Sequence, residues 1–538
     1  MTRSTPPRQA TPFVPPFATL EHWCARWARR QRLAALTCGM LVLLVRAAEL
    51  PRLPPPEPSI HDEFSFLLAA DTFASGRLTN PTHAMWQHFE SFHIIQTPTY
   101  MSMYAPGQGL VLAAGQVLSG QPWLGVYVTA ALFCYALCWM LQGWLPPGWA
   151  LLGGLLVSMR VGVFSGWMNS YSGTALAGIG GALLFGALPR LMRRPRIGHA
   201  LMMGLGLAIL VNTRPYEGLI AAIPVALALL AWMILKKPGI RIALTRVALP
   251  VALVMLPVAA ATSFYFWRVT GQPFRMPYQV NRETYAVTPY FLFQSPRPEP
   301  VYHNDVMRTF YTQIEPGLQG AYLQDTLQGW MVAAVYKICG IWSFYLGIVL
   351  SVPLLSLRLA LGDRRMRFWL LAGVIFFLGL GVQRFLQPHY IAPMAGAIYV
   401  ILIQSMRHLR QVRIRGHRAG LFLVRAVVVL CVAAFLRQVA DPHPAAPYPG
   451  DLERANILRR LENLPGPQLA IVRYSPGHPP AREWVYNRAD IDHAKVVWAR
   501  EMGVPDDPQL LRYFHNRTVW LVEPDRQPPS VTPYTPPQ

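Results

Sequence analysis

Carboxylates are scarce in this chain, so their positions carry information. Its 538 residues hold 26 Asp and Glu against 48 Lys and Arg, a formal charge of +22. One acidic pair stands out, in Ser59-Ile60-His61-Asp62-Glu63-Phe64, continuing through Leu67, Leu68 and Asp71 to Gly76-Arg77. A carboxylate held near an apolar surface can take a proton from a hydroxyl or bind a hard cation. The competing reading is a capping box, Ser59-x-x-Asp62, in which the acid only starts a helix. Downstream come His83, Trp86, His88, Glu90, His93, Tyr100 and Tyr104. Rings interleaved with polar groups suit sugars and head groups, and they equally suit an interfacial aromatic belt. Two later arginines could hold a phosphate through parallel hydrogen bonds. Arg214 stands in Asn212-Thr-Arg-Pro-Tyr-Glu217, where it could instead pair with Glu217. Arg384 stands in Gln383-Arg-Phe-Leu-Gln-Pro-His389-Tyr390. Asn169-Ser-Tyr171 interrupts two apolar runs, and a packing joint between helices is the simpler reading there.

These residues need a membrane-bound frame. Hydrophobic residues make up 53% of the chain and charged ones 14%, against about 25% in soluble proteins. With a mean hydropathy of +0.27, this excludes an ordinary soluble enzyme. The 12% aromatic content excludes a disordered chain despite 50 prolines. Six cysteines form no CxxC pair or zinc spacing, and five of them lie in apolar runs as small fillers.

Residues 1–32 read as a basic cytoplasmic segment, and Leu33–Val45 as an uncleaved signal anchor. Apolar runs near spanning length, about 20 residues, then fall near 107–120, 122–143, 148–166, 172–189, 199–213, 218–235, 247–266, 329–356, 368–382, 390–406 and 419–437. The loops at 190–196, 236–246, 358–367 and 407–418 are rich in Arg and Lys. The positive-inside rule puts them in the cytoplasm, which absorbs much of the net charge without nucleic acid. Loops 51–106 and 267–328, the tips near 212–217 and 383–389, and the tail 438–538 are then outside. Parity requires one segment among 107–189 to be re-entrant, broken or missing. Residues 63–75 read as an amphipathic helix on the membrane surface. The tail reads as a small α/β unit with strands at 469–472 and 518–522 and helices at 492–502 and 507–514. The expected fold is an all-α polytopic bundle over 33–437, with a soluble α/β domain over 438–538.

The order of motifs resembles the GT-C membrane glycosyltransferases, in particular the bacterial RgtA/B/C/D-like group, with protein O-mannosyltransferases and aminoarabinose transferase as more distant kin. It comprises an N-terminal span, an outer loop opening on Asp62-Glu63, a helix ending in Gly76-Arg77-Leu78, and Tyr104-Ala-Pro106-Gly-Gln-Gly109 leading into the next span. The specific match covers roughly residues 35–225. The resemblance implies a bundle of about 11–12 helices with its site on the outer face of a bacterial inner membrane. It implies a sugar donor carried on a polyprenyl phosphate and a lipid, glycan or protein acceptor. Asp62, with Glu63 beside it, becomes the catalytic candidate. Arg214, Arg384 and His389 become the donor-phosphate candidates. His83, His88, Tyr104, Asn169, Tyr171, Glu217 and Tyr390 become substrate-binding candidates. Many relatives carry a second acid at the tip matching 165–173; Asn169-Ser170-Tyr171 has none, which speaks against a two-carboxylate or metal-dependent mechanism. No cofactor is otherwise implied, although Asp62 and Glu63 could ligate Mg²⁺ or Mn²⁺. Two rival classes share the many spans. One is a transporter or flippase for a lipid-linked or anionic solute, which needs charges near the midplane; Arg46, Arg160 and Lys337 are the candidates. The other is a non-catalytic assembly protein that binds envelope partners through its tail.

Overall fold

The computed structural model describes residues 16–443, 452–504 and 506–535. The first fifteen residues of the expected cytoplasmic segment lie outside the described residues.

Seven helices are long and apolar enough to cross a membrane: Gln31–Glu49, Trp123–Trp144, Thr174–Arg193, Pro215–Lys236, Ile240–Thr270, Pro388–Leu409 and Ala419–Ala440. The pair Leu327–Tyr345 and Gly347–Leu361, bent by 97°, makes an eighth span if counted as one. At 1.5 Å per residue, a 22-residue helix reaches about 33 Å, enough for a hydrocarbon core of about 30 Å. Shorter apolar helices, Pro147–Val157, Ile197–Val211 and Arg367–Gly381, alternate with these. The chain is a multi-pass membrane protein.

The parity requirement is met by the helix Pro106–Ser119, which does not cross. Near its start, Gly107 N donates to Asn212 O (2.8 Å) and Gln108 Nε2 to Tyr171 O (2.9 Å). Farther along, Gln116 Nε2 donates to Asp71 Oδ1 (3.1 Å). The next helix starts on the same side, where Trp123 Nε1 donates to Met168 O (2.8 Å). At fourteen residues it is also too short to span. Only its apolar composition resembles that of a crossing helix. The arginine-rich loops gather at the opposite end of the bundle, where Arg190 donates to Trp139 O and Arg410 pairs with Glu21.

The three charges that would suit a transport path are spent on structure. Arg46 donates to Leu53 O and Pro54 O, and Arg160 to Phe344 O and Ser343 O at the bent span. Lys337 donates to Gln324 Oε1 and Gln383 O.

The loop after the first span folds as the helix His61–Ala74 and three short antiparallel strands, β1 (Asn80–Pro81), β2 (Ile94–Ile95) and β3 (Thr99–Ser102), in the order β1-β3-β2. The helix is not a membrane-surface element, contrary to its amphipathic reading. None of its residues is exposed, because helix 106–119, β3 and the tail cover it from several sides. Phe64 stacks on Tyr486 of the tail at 4.2 Å, and Phe66 on Tyr104 at 4.4 Å.

The tail carries β4 (Gln468–Val472), β5 (Val496–Arg500), β6 (Thr518–Glu523) and β7 (Ser530–Pro533), in the order β5-β4-β6-β7. The first three are parallel and β7 is antiparallel. Strands β4 and β6 and the helix Asp506–Tyr513 agree with expectation. The helix expected over 492–502 is a correction: β5 lies there. Val496-Val-Trp-Ala-Arg500 is buried at every position, and a strand covered on both faces has no alternation to separate it from a buried helix.

One close approach positions later side chains. A Cβ on Gly181, in helix 174–193, would lie 2.0 Å from the carbonyl oxygen of Pro393, in the turn that carries His389 and Tyr390. Gly181→Ala is therefore expected to cost about 1–3 kcal/mol by overpacking, read as a lower thermal midpoint in detergent. An unchanged midpoint would show that this turn moves freely.

Candidate active site

Asp62 is free to do chemistry because its neighbour starts the helix. Glu63 Oε2 accepts from Ser59 N (2.8 Å) and Ile60 N (3.3 Å), and Oε1 accepts from Tyr171 N (3.0 Å). The capping function suspected for Asp62 thus belongs to Glu63, which is buried and does not line the cavity described below. Glu63 is a positioning group, tying the Asp62 turn to the 169–173 tip. Burial pushes its carboxyl up.

On the free side of that turn, Asp62 Oδ1 meets His93 Nδ1 at 2.6 Å and accepts from the Tyr104 hydroxyl. His61 Nε2 lies 3.9 Å away. His93 adopts the left-handed backbone region (φ 60°), rare for a non-glycine residue and held here by its surroundings. Its carbonyl accepts from Ser65 Oγ (2.7 Å) and Met103 N (3.1 Å), which fixes the imidazole against Asp62. Burial alone would raise the Asp62 carboxyl. His93, by its charge and its hydrogen bond, and the Tyr104 hydroxyl override it and hold the carboxyl well below its usual range. Burial and the neighbouring His93 push His61 down to about 4, so it is neutral at pH 7. A carboxylate with a depressed pKa stays ionised until the pH falls through that pKa. Any rate that needs it should show no acid limb from Asp62 between about pH 5 and 8. Tyr104→Phe removes one of these hydrogen bonds and is expected to move the acid limb of the rate profile upward; an unmoved limb would mean that the titrating group lies elsewhere.

Asp62 opens on a cavity of about 2060 Å³. Of the residues expected from sequence, Asp62, Tyr104, Arg214, Glu217, His389 and Tyr390 line it. They come from the first loop, from the N-cap and first turn of helix 215–236 and from the start of the Pro388–Leu409 span. The Arg214 guanidinium lies over the Tyr390 ring, 4.5 Å from its centroid. Among the described residues it forms no ion pair with a carboxylate, although Glu217 contributes a nearby charge. His389 lies within electrostatic reach of both Arg214 and Asp62.

The other expected residues do not line the cavity. Arg384 is buried and engaged with Asp325 (2.6 Å). His83 pairs with Asp492 (3.0 Å), and His88 Nδ1 meets Arg500 O (2.9 Å); both dock the first loop onto the tail. Asn169 donates to Val163 O and Ser165 O, and the Tyr171 hydroxyl to Pro56 O, which supports the packing-joint reading.

Several lining residues are not among those expected from sequence. His61 and His93 stand in the first loop, beside expected residues. Arg282 and Glu315, a buried ion pair from the 267–328 loop, and the tail segments around His478 and Asp525 carried no local signal.

The donor set available for a cation also differs from the expected Asp62 and Glu63. The Glu63 oxygens are occupied, whereas single donor atoms of His61, Asp62 and His93 lie within 4.8 Å of one another. Two imidazoles and a carboxylate suit Zn²⁺ or Mn²⁺ better than Mg²⁺.

No family model matches the sequence, and no curated protein matches it. Solved structures do. Apo ArnT from Cupriavidus metallidurans aligns with a TM-score of 0.50 at 11% identity, over 90% of this chain and 92% of that one. The same protein bound to undecaprenyl phosphate aligns with a TM-score of 0.49, also at 11% identity and over the same shares. The Archaeoglobus fulgidus oligosaccharyltransferase in complex with Zn and sulfate aligns at 0.49 and 11% identity, over 91% of this chain and 67% of that one. Over nine-tenths of its residues this chain shares the fold of the ArnT structure.

Proposed function

We propose that this protein transfers a sugar from a polyprenyl-phosphate carrier to an acceptor hydroxyl or amine in the cavity between the membrane bundle and the tail. The observation that carries this reading is the convergence on one cavity of an ionised, hydrogen-bonded Asp62 and an Arg214 guanidinium that forms no ion pair among the described residues. The arginine-rich loops face the cytoplasm by the positive-inside rule, so the cavity and tail face the other side of a bacterial inner membrane.

A polyprenyl tail stays in lipid, so its phosphate sits at the interface where Arg214 lies. Transfer breaks the bond between the anomeric carbon and the phosphate oxygen and forms one from that carbon to the acceptor oxygen or nitrogen. The sugar ring gains oxocarbenium character as the carrier phosphate departs. Arg214, with His389 beside it, stabilises the charge growing on that phosphate. Asp62 accepts the hydrogen bond of the attacking group and then its proton. So acidic a carboxylate is a weak base, but an oxocarbenium-like centre demands little activation of its nucleophile. The permanent negative charge of Asp62 also favours the positive ring. His61, Asp62 and His93 would hold a divalent cation if one is bound, and it would supply Lewis acidity toward the acceptor.

The test is incubation of the purified protein with a panel of polyprenyl-phosphate sugars, scoring release of free carrier phosphate. Release from one donor, dependent on an acceptor, is expected. If no donor yields carrier while reconstituted protein moves an intact lipid-linked sugar across liposomes, the flippase reading replaces this one.

A further inference from the structure

The tail does more than dock on the first loop. Its parallel strands run β4 to β5 on one side of β4, then back to β6 on the other. In such a sheet the loops leaving the carboxyl ends of the two strands at the reversal diverge and open a crevice, where open α/β sheets bind ligands. Here those loops are 473–482, after β4, and 524–528, after β6. Both line the cavity that Asp62 and Arg214 line. The ligand edge of the tail and the site in the bundle therefore face one space.

The crevice is built, not incidental. His478 is 7% exposed, and its Nδ1 meets Asp525 Oδ1 at 2.7 Å across the two loops. Asp525 Oδ2 accepts from Ser475 N at 2.9 Å. The imidazole stacks on Tyr474 with centroids 3.9 Å apart. Its buried Nε2 has no hydrogen-bond partner among the described residues. With so little of its side chain exposed, His478 braces the crevice wall, joining the loop after β4 to the loop after β6 through Asp525. The loop Ser475-Pro-Gly-His-Pro-Pro480 is stiffened by its prolines, so little order is lost on binding.

The charges indicate the ligand class. Arg482 is exposed and unpaired among the described residues, whereas Arg526 is tied to Glu523 at 2.9 Å. Against them stand Glu453 and Asp525, also on the cavity wall. Donors and acceptors in near balance fit a neutral polyhydroxylated molecule better than a phosphate, which would meet two carboxylates.

We propose that the crevice between the loops after β4 and β6 is a subsite for a neutral sugar residue of the acceptor, which it holds toward Asp62. This rests on the transfer reading of the cavity and names its acceptor as a glycan.

The experiment uses the full-length protein in nanodiscs, applied to an array of short unlipidated oligosaccharides, neutral and anionic, with peptides alongside. Retention of a neutral oligosaccharide is expected. Arg482→Ala, whose exposed side chain leaves folding unaffected, and Asp525→Asn are each expected to weaken it at least about tenfold. Arg488→Ala, an exposed tail arginine away from the cavity lining, should bind as the native chain does. Retention of peptides alone, of anionic oligosaccharides alone or of nothing overturns the proposal, as does equal binding by Arg482→Ala. Carrier release is scored in parallel. Normal release without oligosaccharide binding removes the subsite alone, whereas binding without any release removes the transfer reading and leaves the crevice standing.

Discussion

Asp62→Asn is expected to lower sugar transfer by about 10²–10⁴-fold, the usual contribution of a positioned acid or base, while leaving expression and thermal stability close to native. Asparagine keeps the shape of the side chain and can still accept from Tyr104, so the helix start, which depends on Glu63, is undisturbed. It cannot take a proton, and it removes the negative charge beside the ring. The loss should therefore fall on kcat, with the apparent affinity for undecaprenyl phosphate retained. Undiminished transfer by Asp62→Asn would remove Asp62 from the reaction. Glu63→Gln offers the contrast. It weakens acceptance from Ser59, Ile60 and Tyr171, so its defect should appear in stability as well as rate.

Arg214→Ala is expected to cost about 10²–10³-fold in kcat, the scale of one lost transition-state donor, and to weaken binding of the free carrier phosphate too. Arg214→Lys should recover only part of this, because an ammonium cannot make two parallel hydrogen bonds to a phosphate. Arg384→Ala separates the two arginines. Buried against Asp325 and away from the cavity lining, Arg384 should affect folding before it affects donor binding. If Arg384→Ala abolished carrier binding while Arg214→Ala did not, the phosphate site would have to be moved.

Much of the site was readable because a membrane chain makes charges expensive. Asp62, Arg214, Glu217 and His389 stand out against apolar runs on one side of the bundle, and three scattered segments converge because alternate helix ends must meet there. What misled was adjacency. Asp62 and Glu63 look interchangeable in sequence, but successive helical residues point about 100° apart, so one caps the turn while the other faces the cavity. In sequence Arg384 reads as no less free than Arg214, because its partner Asp325 lies 59 residues earlier, at the end of a short 3-10 helix. His83 and His88 find partners more than 400 residues away in the tail, and no local pattern reports a contact of that range. The helix 106–119 has the composition of a span, and only its bonds to Asn212 and Asp71 show it staying on one side. In the tail, β5 reads as a helix in sequence because burial on both faces erases its alternation. The crevice around His478 depends on strand order, which sequence does not display.

The most direct test is a structure of the purified protein with undecaprenyl phosphate, by electron cryomicroscopy. The phosphate oxygens are expected within about 3 Å of the Arg214 guanidinium, facing the space that Asp62 lines. A phosphate bound among the arginine-rich loops at the opposite end of the bundle, or one walled off from Asp62 by packed side chains, would contradict a shared catalytic cavity.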